Sequence, residues 1–331
     1  MADNTSSPTG SHSASQGAAL GLLGFALYST HDVIIKYLGG FYTPFQIIFF
    51  AVLFSFPLVT LYMLRSPKTG SLWPHHPVKM LIRVCSTTIV GFGAFYAFSV
   101  LPLAQVYALL FLTPIVVTIL SVPILGEQVG LHRIAAIIVG FVGVIIVLQP
   151  SVDALSWGHL TGLIAVLGGA TNTLITRQIG QREKMSVMLL YPMLGNFLIM
   201  GLILPFVYVP MPLAHLQAIG LISILGFLAM MCLISAFQRS DAAIISPMQY
   251  SQIIWAGLFG VLVFDEAVTT PLLIGSTLII GSAVYIIQRE RVKAQSLKPV
   301  LTDITSRPET GLRPRYSLLG RKASRSDDLS A

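Results

Sequence analysis

Charge is what this sequence has least of. Asp, Glu, Lys and Arg make up 10% of its 331 residues, and apolar residues make up 54%. A water-soluble globular chain carries about 25% charged residues. Too little charge remains to coat a hydrated surface, so most of the outside must face hydrocarbon. Cysteine is scarce as well. Cys85 and Cys232 each sit inside an apolar run, in no CxxC or Cys/His grouping. That spacing excludes a disulfide framework and a zinc site, and both read as buried thiols. No Lys or Arg precedes the first apolar run and residues 1–16 are polar, so no cleavable signal peptide is expected. Nucleophile elbows, phosphate-cradling loops, HExxH and metal-ligand spacings are missing too. The expectation is no enzyme, no cofactor and no metal.

What is present is a regular series of apolar segments, at 17–37, 43–64, 79–100, 104–125, 131–149, 157–178, 186–208, 213–237, 242–264 and 271–288. Each approaches the roughly 20 residues a helix needs to cross hydrocarbon. Backbone groups in lipid must be satisfied within the segment, which demands helices. Pro-containing breaks separate them, among them Ser66-Pro67, Trp73-Pro74, Gln149-Pro150, Val209-Pro210 and Thr270-Pro271. The predicted fold class is therefore an all-α membrane protein of ten transmembrane helices, called spans 1 to 10 below.

The net charge of +7 comes with an uneven distribution. Of 20 Lys and Arg, ten lie at or beyond Arg289, after the last apolar segment. That is a topology signal beside membrane lipid, and nucleic acid is not an expected partner. With the N-terminus placed in the cytoplasm, cytoplasmic connectors and tail carry 19 of the 20 and the opposite side carries Lys36 alone. Both termini are expected inside. Residues 1–16 and 291–331 are expected to be disordered cytoplasmic segments, the second basic.

The chain repeats itself. Residues 97–149 fall on 236–288 at an offset of 139, which sets Ala97-Phe98 on Ala236-Phe237, Ala104 on Ala243 and Glu127 on Glu266. Gly21-Leu22, Thr30 and Lys36 match Gly162-Leu163, Thr171 and Arg177 at a slightly different offset. The halves are 17–150 and 157–290. Five spans is an odd number, so the second half enters inverted, an architecture tied to transport through a site between the repeats.

Three stretches carry a family resemblance. They are Asp32 to Lys36 with Gln46 to Phe50; Tyr96 through Leu101-Pro-Leu-Ala104, Thr113-Pro114 and Leu125-Gly-Glu127; and Ala236-Phe237 through Ser246-Pro247, Tyr250, Trp255-Ala256 and Glu266. Together they resemble the EamA-type, ten-helix members of the drug/metabolite transporter superfamily. Within it they look most like bacterial S-adenosylmethionine and riboflavin transporters. The resemblance implies two five-helix repeats in a bacterial inner membrane and transport of a small organic metabolite. Such relatives usually carry an Arg where this chain has Ala51, which puts a borrowed substrate in doubt.

Polar residues inside the spans are the informative ones, because a charge at bilayer depth costs at least about 2.5–3.5 kcal/mol. Asp32 is a candidate for proton uptake or a cationic substrate, with His31 as a proton-coupling partner. Lys36 lies four residues beyond Asp32, within pairing distance on one helix face, or free to snorkel outward. Spans 4 and 9 are corresponding helices. They offer Gln105 and Tyr107, and Ser246, Gln249, Tyr250, Gln252 and Trp255. Spacing puts Ser246, Gln249 and Gln252 on one face. Tyr96 on span 3 and Asn172 on span 6 complete the candidate substrate-binding set. The alternative for each is a hydrogen bond between helices. Glu127 and Glu266 are expected to cap or hinge helices near opposite surfaces, and Gly140 to Gly143 and Gly168-Gly169 to permit close packing.

The expected function is secondary active transport by alternating access, around a midplane site between spans 1, 3, 4 and 6, 8, 9, with each half rocking on the other. Spans 5 and 10 are assigned to packing or to a homodimer. A metabolite or drug exporter, a non-saturable channel and a lipid-translocating protein are the alternatives.

Overall fold

The computed structural model describes residues 9–64, 72–126, 131–148, 156–179, 183–239 and 245–296. Eleven α-helices fill the described residues: α1 (Thr9–Gly39), α2 (Pro44–Leu64), α3 (Pro77–Val100), α4 (Leu103–Leu110), α5 (Thr113–Leu125), α6 (Leu131–Leu148), α7 (Trp157–Ile179), α8 (Met185–Val207), α9 (Leu213–Arg239), α10 (Ser251–Phe264) and α11 (Thr270–Ser296). A 3-10 segment, Ser246–Tyr250, leads into α10. Helices α4 and α5 together form span 4, and the 3-10 segment with α10 forms span 9. Seven spans are long and apolar enough to cross a membrane, and three shorter apolar helices supply spans 5, 9 and 10. Outward side chains such as Leu202 and Phe206 (87% exposed) present hydrocarbon, as lipid contact requires.

The ends differ from expectation. Helix α1 begins at Thr9, so residues 9–16, expected to be disordered, continue the first helix. Helix α11 runs to Ser296, past the expected boundary at 290. No Pro interrupts either stretch, and a helix already satisfied in lipid propagates cheaply outward. Residues 1–8 and the basic tail from 297 onward lie outside the described residues, as does Glu127.

Packing follows the repeat. The most extensive helix contacts join spans 1 and 8, spans 3 and 6, and spans 5 and 10. Span 9 packs on span 1 as span 4 packs on span 6, span 2 packs on span 7, and spans 2 and 8 match spans 7 and 3. Exchanging 1 with 6, 2 with 7, 3 with 8, 4 with 9 and 5 with 10 maps these pairings onto themselves. That is the signature of two inverted repeats about a pseudo-two-fold axis. Close contacts also cross the sequence halves: span 1 gathers spans 8 and 9, and span 6 gathers spans 3 and 4, two bundles of three flanked by the pairs 2/7 and 5/10.

Two polar clasps show the same register at opposite ends. Tyr42, just past α1, hydrogen-bonds His215 Nδ1 at the start of α9 across 2.7 Å. Glu183, just past α7, accepts from the backbone N–H of His76 at 2.8 Å, at the start of α3. Glu183 is the residue that an offset of 141 sets on Tyr42, and His215 is the residue that 139 sets on His76. Even the turns agree: the N–H of Tyr42 donates to Leu38 and that of Glu183 to Ile179, both at 2.9 Å.

Glycines allow the closest approach. A Cβ on Gly143 in α6 would lie 2.8 Å from the carbonyl oxygen of Gly275 in α11, and one on Gly275 would overlap the Gly143 carbonyl. Spans 5 and 10 thus pack on each other inside the chain. Gly168 likewise faces the backbone of Ser86 in α3. Cys85, expected to be buried, is exposed, because it shares the lipid-facing side of α3 with Leu81, Ile82 and Ile89.

Candidate functional site

Span 4 is the most enclosed of the long apolar spans, with 61% of its apolar window buried against 22–44% in the other six. A polar side chain there must find its partner within the protein. Span 4 is also broken. Pro114 has no N–H to give the carbonyl of Leu110, and the N–H of Leu112 turns back to Leu109 at 2.9 Å. In span 9 the 3-10 segment that starts at Ser246-Pro247 gives way to α10 at the repeat-equivalent point. Both central helices therefore change winding at the same depth.

The polar cluster forms beside this break. The Tyr107 hydroxyl on α4 donates to Asp32 Oδ2 on α1 at 2.5 Å, and Ser29 Oγ lies 3.4 Å from the same hydroxyl. Gln252 on α10 lies close enough to influence that phenol. His31 Nδ1 meets the other Asp32 oxygen at 2.8 Å. The His31 ring is edge-on to Tyr28 and Phe95, and Gly226 of α9 leaves it room. Tyr250 lies edge-on to Phe111 with centroids 4.9 Å apart. Asp32, His31 and Tyr107 are thus in direct contact where the two three-helix bundles meet, with Gln252 nearby and Tyr250 joined to Tyr107 through the Phe111 ring.

Asn172 on α7, the repeat mate of His31, keeps a buried Oδ1 with no hydrogen-bond partner among the described residues.

Three candidates are not in the cluster. Gln249 is exposed while Gln252 is buried, so these two do not present one shared face to the cluster. Tyr96 joins an aromatic ladder with Phe92 and Phe45, and Phe95 approaches His31 in its place. Trp255 stacks on Phe259. The side chain of Ser246 lies outside the described residues.

The expected Asp32–Lys36 pair is not formed, and Lys36 does not snorkel. Its Nζ lies 2.9 Å from Glu266 Oε1 and donates to the carbonyl of Leu101 at 2.5 Å. Glu266 Oε2 accepts from the N–H of Leu103 at 3.1 Å, so it caps α4 as its near-surface position predicts. A fixed carboxylate and an orphan carbonyl outcompete a partner that Tyr107 and His31 already occupy. A cavity of about 210 Å3 opens beside this group, lined among others by Pro102, Gln105, Gly257, Glu266 and Thr269.

Glu183, outside the membrane spans, is a third ionic group. Its burial alone would raise the carboxyl. The backbone N–H groups of His75 and His76, with their rings, outweigh this and hold it below the usual carboxylate range. The ring nitrogens lie 3.5 and 3.3 Å away.

The EamA-like transporter family matches the chain twice, over residues 15–149 and 156–288. An S-adenosylmethionine uptake transporter of Rickettsia bellii is 27% identical over 84% of this chain and 94% of its own length. A riboflavin transporter of Rhizobium johnstonii is 29% identical over 73% of this chain and 78% of its own. A solved crystal structure with 17% identity superimposes with a TM-score of 0.61, covering 84% of this chain and 99% of that one, and so shares the fold. Ten apolar spans in two inverted halves, matched in both halves, make this multi-pass membrane protein a member of the EamA-like transporter family.

Proposed function

We propose that the protein is a secondary active transporter that carries a small organic metabolite across a bacterial inner membrane by alternating access, with both termini in the cytoplasm. The observation that carries this is the Asp32 carboxylate, set between the two symmetry-related bundles and held by Tyr107 and His31 rather than by a permanent cation. A negative group at that depth is costly unless it takes a proton or a positive substrate centre. Asp32 and Tyr107 then bind substrate, with Gln252, Tyr250 and Asn172 lining the site, and His31 shares a proton with Asp32. Aromatic rings beside amides suit a planar, polar molecule such as a nucleoside-like, vitamin-like or amino-acid-derived metabolite. The relatives named for S-adenosylmethionine and riboflavin uptake support that substrate class.

In this reading the moving bodies are the bundles 1/8/9 and 3/4/6. The site sits between them, and each contains spans from both repeats. Proteoliposomes loaded with unlabelled compound and offered labelled S-adenosylmethionine, riboflavin or other metabolites test the proposal. Saturable counterflow with at least one is expected. Flux without saturation or exchange points to a channel or lipid translocator instead, and export without uptake to the drug-exporter reading.

A further inference from the structure

Lys36 and Glu266 belong to one moving body, since α1 and the end of α10 are both in the 1/8/9 bundle. Their second bonds reach the other body. Lys36 takes the carbonyl of Leu101, just past α3, and Glu266 takes the N–H of Leu103, the first of α4. These are the orphan backbone groups on either side of the α3–α4 turn. The cation faces the negative end of α3 and the anion faces the positive end of α4. The pair is largely enclosed, with side chains 13% and 17% exposed. Glu266 is aimed by its surroundings. Asp265 turns left-handed at φ 54°, the Glu266 N–H returns to Gly260, and a Cβ on Gly260 would sit 2.6 Å from Oε2.

Resting on the transport reading, we infer that Lys36 and Glu266 form a latch that closes the outer end of the pathway by gripping the α3–α4 turn. The design is reversible. When the bundles part, the ion pair stays whole within its own body, so no charge is stranded. Only the two backbone bonds are exchanged for water. A pair that merely stapled α1 to α10 would not need both of its free atoms directed at the opposite body.

The test uses the full chain with Cys85→Ser and Cys232→Ser, and Ser29→Cys as the single thiol. Ser29 is 2% exposed and lies in the central cluster. A charged, membrane-impermeant methanethiosulfonate is applied in right-side-out and inside-out vesicles. Glu266→Gln and Lys36→Met are each expected to speed labelling at least tenfold from one face. Gly260→Ala, which displaces the carboxylate and keeps both charges, should do the same. The swap Lys36→Glu with Glu266→Lys restores a pair but cannot grip. A carboxylate cannot donate to Leu101 and an ammonium cannot accept from Leu103. Its thermal stability should recover towards the parent while labelling stays fast. Unchanged labelling in the three single variants, or slow labelling restored by the swap, overturns the latch. Counterflow is read separately. A transport failure with the expected labelling pattern rejects the transport reading and leaves the latch geometry standing.

Discussion

Phe111 and Tyr250 are repeat mates, and they touch edge-to-face with centroids 4.9 Å apart. A residue can meet its own symmetry mate only on the symmetry axis. The pseudo-two-fold therefore runs through this aromatic pair, one helical turn from Tyr107. The polar cluster does not share the symmetry: Asp32 corresponds to Thr173, and His31 to Asn172. The scaffold is duplicated, and the carboxylate at its centre is not.

The Asp32–Tyr107 bond sets the first prediction. A hydrogen bond to a charged group contributes about 1.5–3 kcal/mol, or roughly 10–150-fold in an equilibrium. Tyr107→Phe should weaken apparent substrate affinity within that range, and Asp32→Asn should abolish any pH dependence of uptake. Initial counterflow rates between pH 5.5 and 8 measure both. Uptake by Asp32→Asn that still varies with pH would remove Asp32 and His31 from coupling.

The Glu183 clasp should make stability depend on acid. A carboxyl held below its ordinary range in the fold stabilises the fold fully above the unfolded-state value, and that contribution is lost as pH falls through the lowered one. Melting temperatures of detergent-solubilised protein should therefore drop below the usual carboxylate range. Glu183→Gln should start lower at pH 7 and lose part of that slope. Parallel curves for variant and parent would show that Glu183 is not the group responsible.

Gly143 and Gly275 predict a steric effect with an internal control. Gly143→Val or Gly275→Val forces the backbones of α6 and α11 apart, at a cost of about 1–3 kcal/mol for overpacking. Gly220 in α9 has nothing near its would-be Cβ. Gly220→Ala should be neutral or gain up to about 1 kcal/mol from helix propensity. Thermal unfolding followed by fluorescence separates the two directions.

Topology gives the fourth. Green fluorescent protein fused after Lys298 should fluoresce, and alkaline phosphatase fused there should be inactive, if the C-terminus is cytoplasmic. The reverse pattern would invert every outer and inner assignment made here.

The spans were legible because bilayer depth writes itself into hydropathy, and the repeat because its offset never drifts across 97–149. Asp32 and Tyr107 could be found as isolated polar groups in apolar runs. Lys36 could not be placed from sequence, since local spacing offers Asp32 four residues away while the real partner, Glu266, is distant in the chain. Gln249 and Gln252 differ in exposure although they lie three residues apart, a difference set by which neighbours cover each and not by their spacing. Bundles that mix the halves were equally hidden, because a repeat gives equivalence and says nothing of which copies touch.

The clasps at Tyr42–His215 and Glu183–His76 occupy matching positions of the two repeats and differ in chemistry. Acid removes the charge of a carboxylate but leaves a phenol protonated as before. In the proposed orientation the acid-labile version lies in the buffered cytoplasm, and the phenol faces surroundings whose acidity the cell does not control.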